Sequence, residues 1–435
     1  MLHETIHNPD RYMTDLRQIL SKGRKKIGIL LGAGVPTSIR VDENGILDQG
    51  GKALICDIAG LTTYVIQKLN KSDSELIDII IQEMKKEPGK EEGYSPNIEA
   101  ILTKIRKLAL AIGTQKINDL DGDGYRELGR RICQKIGEHV APKLPKENNA
   151  YNELVSWISG IHREKAVEIF TPNYDLLMEE AFERAKEPYF DGFTGAHCPF
   201  FDPVSISNDE LPARWSRLWK IHGSLGWDVK DDVVIRTGSR DATTLIYPDH
   251  LKYDEITRLP YSALFERLRS FLTTPDSLLI CSGFSFFDSH ICAVFDEALA
   301  ANSHTAIFAF QYKNLEDEFN AVKLAKKRPN LSIYARDGAV ISGVSGKWVP
   351  GEPPNDSWEE IRKTFWKKSD SSGIHEFILG DFAALARFFS LAQALNLKET
   401  LLSTSTSTST STHAGFTSQH PYVENESETA LYEDK

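Results

Sequence analysis

The stretch KKIGILLGAG, residues 25–34, decides the fold class. Two lysines lead into an unbroken apolar run that stops at Gly-Ala-Gly. A strand with one face in water alternates polar and apolar side chains, whereas a strand buried on both faces does not. The run therefore predicts a strand inside a parallel sheet, with a tight turn at Gly32-Ala33-Gly34. Working outward, similar segments recur as AVEIFTPNY (166–174), LWKIHGS (218–224), DSLLICSGFSF (276–286), HTAIFAFQY (304–312) and LSIYAR (331–336). Helical spacing separates several of them, notably in DLLMEEAFERAK and LPYSALFERLRSFL. Alternating apolar strands and helices predict an α/β fold with a doubly wound, mostly parallel sheet.

Residues 53–140 differ in character. ALICDIAGLTTYVIQKL, SELIDIIIQEMKK, NIEAILTKIRKLALAI and GYRELGRRICQKIGEHV all carry apolar residues at helical spacing, and Ser95-Pro96-Asn97 is a start signal for the third. The expectation is a helical module at about 53–150, inserted into a domain spanning 1–350. A C-terminal helical segment follows over 351–400. It contains GEPPNDSWEEIRKTFWKK and the strongly apolar EFILGDFAALARFFSLAQALNL. The second of these is apolar on more than one side, so it either packs wholly on its parent domain or shares a face with another subunit or partner. From 401 to 435 a Ser/Thr-rich and acidic tail, opened by STSTSTSTST, carries too little apolar surface to repay its ordering entropy.

Composition sets outer limits. The 435 residues are 41% hydrophobic and 26% charged, an ordinary globular balance. A net charge of −11 argues against direct binding to a nucleic-acid backbone. The five cysteines, Cys56, Cys133, Cys198, Cys281 and Cys292, contain no C-x-x-C pair, so no structural metal is expected. Their odd, scattered placement suits a reducing compartment. MLHETIHNPDRYM lacks the apolar core of a signal peptide, and no apolar run is long enough for a bilayer. A cytoplasmic chain without membrane contact is the expectation.

In doubly wound sheets ligands bind beyond the carboxyl ends of the strands. The Gly32–Gly34 turn, the Asn173-Tyr174-Asp175 segment, His222 and the Gly283 turn all fall at such ends. Each has a plain structural alternative. The glycines let a backbone approach a pyrophosphate, with a following helix N-terminus to favour its charge, or simply make a turn. Thr37 occupies the third glycine position of a G-x-G-x-x-G fingerprint, which disfavours a nicotinamide dehydrogenase. Asn173 can bond a ribose hydroxyl or hold a water, or cap the helix that begins YDLLMEEAF; Asp175 has the same capping alternative. His222 can serve as a general base or be held by a backbone carbonyl. SGFSF (282–286) can cradle phosphate with its amides and Ser285, or be a strand-end turn.

Taken together, the set resembles the sirtuin (silent information regulator) superfamily. Gly32-Ala33-Gly34, Thr171-Pro172-Asn173-Tyr174-Asp175, His222-Gly223 and Gly283-Phe284-Ser285 match its G-A-G, T-x-N-x-D, H-G and G-x-S motifs in order. The resemblance implies a Rossmann-like NAD+-binding domain with the Gly32–Gly34 turn at the pyrophosphate. It places Asn173 and Asp175 beside the nicotinamide ribose, following Thr171, and makes His222 the catalytic histidine. Gly283 and Ser285 fall near the adenosine half. The chain also departs from the deacetylating members. VPTSIRVDENGIL replaces their P-D-F-R segment, Pro36 stands in place of a serine with Thr37 and Ser38 displaced, and the zinc cysteines are absent. With GFSFFDSHI and IYPDHLKY, these departures look more like the sirtuin-like NAD-hydrolysing proteins of bacterial anti-phage defence. Among those, the chain looks like the subunit that works beside a HerA-type ATPase. The resemblance implies an NAD+ hydrolase that depletes NAD+ as substrate; a homo-oligomer is expected, and, because uncontrolled NAD+ hydrolysis would be toxic, so is gated activity. A protein deacylase or ADP-ribosyltransferase, and a non-catalytic NAD or ADP-ribose sensor, are the alternatives.

Overall fold

The computed structural model describes residues 5–88, 95–160, 162–208, 210–240, 259–352, 358–369 and 373–391. A ten-stranded sheet forms its centre. In chain order the strands are β1 (Ile6–His7), β2 (Lys26–Leu31), β3 (Glu168–Thr171), β4 (Tyr189–Phe190), β5 (Ser216–Lys220), β6 (Ser277–Ser282), β7 (Ala306–Phe310), β8 (Leu331–Tyr334), β9 (Gly338–Ile341) and β10 (Val344–Trp348). Across the sheet the order is β1-β10-β9-β8-β7-β6-β2-β3-β5-β4. Pairing is parallel from β8 through β4, while β9 runs antiparallel to both neighbours. The principal helices are α1 (Pro9–Ser21), α2 (Ile58–Lys68), α3 (Lys71–Lys85), α4 (Ile98–Ile112), α5 (Gly122–Val140), α6 (Ala150–Ser159), α7 (Leu177–Ala185), α8 (Tyr261–Thr273), α9 (Ser289–Ala301), α10 (Phe319–Lys327) and α11 (Trp358–Phe365). A last helix covers 382–391.

The chain is thus an α/β protein with a large, mostly parallel sheet. Ile27, Ile29, Leu30 and Leu31 of β2 are each at most 2% exposed, so both faces of that strand are covered. Leu30 belongs to a core with Leu268 and Phe271 of α8 and Phe295 of α9. Gly28 lies on the same face, where a Cβ would stand 2.6 Å from the Phe271 ring; glycine lets α8 approach.

Strand order locates the site. The chain leaves β2 toward β3 and β5, then returns to β6 on the other side of β2 and continues to β7 and β8. The direction of winding therefore switches between β2 and β6. A crevice forms at such a point, outside the carboxyl ends of the strands.

Helices α2 to α6 lie in the chain between β2 and β3. The Asn97 side chain caps α4, accepting the Ala100 N–H at 2.9 Å. Ile101, Leu102 and Ile105 of α4, with Leu128, Ile132 and Ile136 of α5, are fully buried. The helix at 382–391 packs on its own chain. Phe382 meets Tyr151 at 5.2 Å, Phe389 meets Trp157 at 4.8 Å and Phe388 meets Phe365 at 6.1 Å. Of its two sequence readings, the first accounts for these residues: Phe388 and Phe389 are at most 1% exposed and offer no face to a second subunit. The end of that helix, the tail and the IYPDHLKY segment lie outside the described residues. Among the described residues no helix is long and apolar enough to cross a membrane.

Candidate active site

The turns after β2 and β6 pass over each other. Gly32 N–H donates to Ser282 O and Gly34 N–H to Gly283 O, both at 2.9 Å. A Cβ on Gly32 would stand 2.3 Å from Gly283 O, and one on Gly283, at φ +62, 2.6 Å from Val35 N. Glycine is therefore demanded here by the crossing of two backbones, before any ligand is considered. Two of the three Gly-Ala-Gly amides are used within the protein. Ala33 is exposed, and among the described residues its N–H meets no backbone acceptor. The helix expected behind this turn is only a three-residue 3-10 turn, Pro36–Ser38. Thr37 Oγ1 donates to Gly34 O (2.6 Å) and Ser38 Oγ to Val35 O (2.8 Å), closing the turn locally, and Ile39 leaves in extended conformation. No helix dipole is available there for a phosphate.

The end of β3 is tied to the same turn. Thr171 Oγ1 donates to Leu31 O at 2.7 Å and accepts the Asn173 N–H at 3.0 Å. Asn173 Nδ2 donates to Gly32 O at 3.0 Å, which fixes the amide plane and leaves its oxygen outside that bond. Asn173 is thus not the cap of α7. Nor is Asp175 its N-cap, a position held by Leu176 without a side-chain cap; Asp175 Oδ1 accepts the N–H of Leu177, the first helical residue, at 3.1 Å. Asp175 is 6% exposed, and burial pushes its pKa up while Lys220 opposes the shift. Lys220, at the end of β5, donates to the Asp175 carbonyl and lies 3.2 Å from Glu179 Oε1. Burial also raises the Glu179 carboxyl, again against Lys220.

His222 stands beside this segment. Ile221 N–H donates to Thr171 O (2.8 Å) and Leu225 N–H to Tyr174 O (3.0 Å), zipping the chain after β5 onto the chain after β3. The His222 ring is 3% exposed and packs against Phe265 of α8 at 6.1 Å. Its Nε2 lies 3.1 Å from Asp288 Oδ2, at ion-pair distance. Asp288 also caps α9.

The family model of the SIR2-like domain matches residues 167–331. Over this stretch the chain is similar to that domain. The match takes in Asn173, Asp175, His222, Gly283, Ser285 and Asp288, and it supports NAD-dependent activity in general. A solved structure from work on the mechanism and regulation of Sir2 enzymes is 13% identical, with a TM-score of 0.33; the alignment covers 71% of this chain and 88% of that chain. No curated protein matches.

Within the matched stretch, the fold brings Thr171 and Asn173 onto the Gly32 turn and His222 onto the adjoining strand end. Gly283 contacts that turn directly, and Ser285 is exposed just beyond it. Sequence reading singled out neither Asp288 nor Lys220. An acidic residue before Ser-His-Ile was a readable helix start, but nothing local announced that its second oxygen would meet a histidine. Among the described residues no group of three or more His, Cys, Asp or Glu side chains is arranged to hold a metal.

Proposed function

We propose that the protein is an NAD+ glycohydrolase that cleaves the nicotinamide–ribose bond and releases nicotinamide and ADP-ribose. One observation carries this reading. Asn173, which does not cap α7, is bonded to the Gly-Ala-Gly turn at the winding switch, with His222 on the neighbouring strand end. The exposed Ala33 amide and Ser285 hydroxyl are the groups we assign to the phosphate and adenosine portions.

The chemistry suits these groups. Cleavage passes through an oxocarbenium-like state at C1′ of the ribose. Nicotinamide leaves as a neutral molecule with the electron pair of the broken C–N bond, so no acid is required. A water oxygen forms the new bond to C1′, and its proton passes to His222. Base catalysis of this kind contributes about 10²–10⁴-fold. The Asn173 oxygen holds the water or a ribose hydroxyl and meets the developing positive charge. Asp175 acts from behind, holding the start of α7.

The reading extends to NAD+ depletion in anti-phage defence, by a gated homo-oligomer working beside a HerA-type ATPase. Its support is the missing P-D-F-R segment and zinc cysteines, together with GFSFFDSHI. The test is to incubate the purified protein with NAD+, alone and with such an ATPase, and to quantify products by chromatography. Equimolar nicotinamide and ADP-ribose are expected. Nicotinamide release only with an acyl-lysine peptide would replace this reading by a deacylase. ADP-ribose found on protein would mean a transferase, and tight binding without cleavage a sensor.

A further inference from the structure

Asp288 divides its carboxylate between two neighbours. Oδ1 accepts the N–H groups of His290 (2.9 Å) and Ile291 (3.0 Å), which anchors the side chain to the first turn of α9. Oδ2 lies 3.1 Å from His222 Nε2, and both side chains are at most 9% exposed. His222 follows β5 and Asp288 follows β6, with β2 and β3 between those strands in the sheet. The pair thus spans the two strand ends that carry the Gly-Ala-Gly turn and Asn173. A neutral imidazole has one N–H and one lone pair. A buried carboxylate beside Nε2 favours the proton on that nitrogen, because the other tautomer would set a lone pair against a negative charge. The lone pair then resides on Nδ1.

We infer that Asp288 is a positioning residue for the proposed reaction. It holds His222 as the Nε2–H tautomer, so that Nδ1 takes the proton from the attacking water or a ribose hydroxyl, and it stabilises the imidazolium that results. The inference rests on the NAD+ hydrolase reading for its consequence, though not for the tautomer.

Asp288→Asn is the informative variant, since asparagine caps a helix as well as aspartate does. It keeps an oxygen for the α9 amides and removes the charge facing His222. The expected result is a fall in kcat for NAD+ cleavage on the order of 10²–10⁴-fold, with KM within a few-fold and an unchanged thermal midpoint. Imidazole ¹⁵N NMR of histidine-labelled protein gives the second readout, with His222 assigned by its loss in His222→Gln. The wild type should show Nε2 protonated, and Asp288→Asn should shift the ring toward the Nδ1–H form. Wild-type turnover in folded Asp288→Asn, or a wild-type ring protonated on Nδ1 alone, would overturn the inference and leave Asp288 as a helix cap. The NMR readout needs no turnover. Wild-type protein inactive on NAD+ therefore overturns the hydrolase reading, while the ring spectrum still decides the pairing.

Discussion

The central sheet carries a buried charge cluster at each end, and the two are built differently. At the amino ends, Glu168 of β3 is 1% exposed. It accepts from Arg267 Nε and Nη2 at 2.7 Å and from Trp219 Nε1 at 2.8 Å, and it lies 3.3 Å from Lys26 Nζ. Both carboxylate oxygens are occupied, and the cations press against them from β2 and α8. At the carboxyl ends, one Lys220 ammonium serves both the Asp175 carbonyl and Glu179. Glu179 Oε2 has no hydrogen-bond partner among the described groups, and burial raises both carboxyls. His222 Nε2 and Asp288 Oδ2 stand 3.1 Å apart at the same end of the sheet. A closed cluster contributes to stability and has little capacity left for anything else. A buried cluster with an unbonded carboxylate oxygen next to the proposed site is the candidate for meeting a ligand.

The largest expected effect falls on turnover at the carboxyl ends. His222→Ala and Asn173→Ala should each lower kcat for nicotinamide release by up to about 10⁴-fold, with circular dichroism unchanged. A folded variant that keeps near-wild-type turnover removes that residue from the proposed mechanism. The converse experiment is made at the closed end. Glu168→Gln leaves the buried Arg267 short of its counter-charge and should cost about 3–5 kcal/mol, read from urea unfolding. Turnover per folded molecule should stay near wild type. If it falls with stability, the two ends are not functionally separate.

How much of this was legible follows from burial. β2 and β6 were readable because strands covered on both faces are continuous apolar runs; Leu278, Leu279, Ile280 and Cys281 are at most 1% exposed. The small antiparallel sheet of Phe193–Thr194, Phe200–Phe201, Trp227–Lys230 and Val233–Arg236 was not. Its strands are two to four residues long, and burial along them does not alternate, running from Trp227 at 2% to Val229 at 51% on one face, so no strand pattern registers. The β9–β10 hairpin escaped for a similar reason, since Val344 is half-exposed.

Asn173 and His222 could be placed at strand ends from sequence. That neither Asn173 nor Asp175 is the N-cap of α7 could not, because both are capping types and the partner that takes the Asn173 amide, the Gly32 carbonyl, is far away in the chain. The His222–Asp288 contact depends on strand order, which no local pattern encodes. The apolar positions of the last helix were equally plain, yet their cover, Trp157 and Phe365, had to come from the fold.

The smallest effect probes how open the carboxyl-end cluster is. A carboxyl whose pKa is higher in the fold than in the unfolded chain binds its proton more tightly when folded. Stability is therefore lost as pH rises from the ordinary glutamate value of 4.5 through the raised folded value. Glutamine at position 179 cannot titrate, whereas Asp175, also raised by burial, titrates in both proteins and largely cancels in their difference. The unfolding free energy of Glu179→Gln, measured in urea at a series of pH values, should gain on the wild type as pH climbs through that window. Lys220 at 3.2 Å opposes the shift and keeps the effect below that of Glu168→Gln. Parallel curves from pH 4.5 upward would mean that Lys220 compensates Glu179 in full. The cluster beside Asn173 and His222 would then be as closed as the one around Glu168, and incomplete satisfaction would no longer distinguish the two ends.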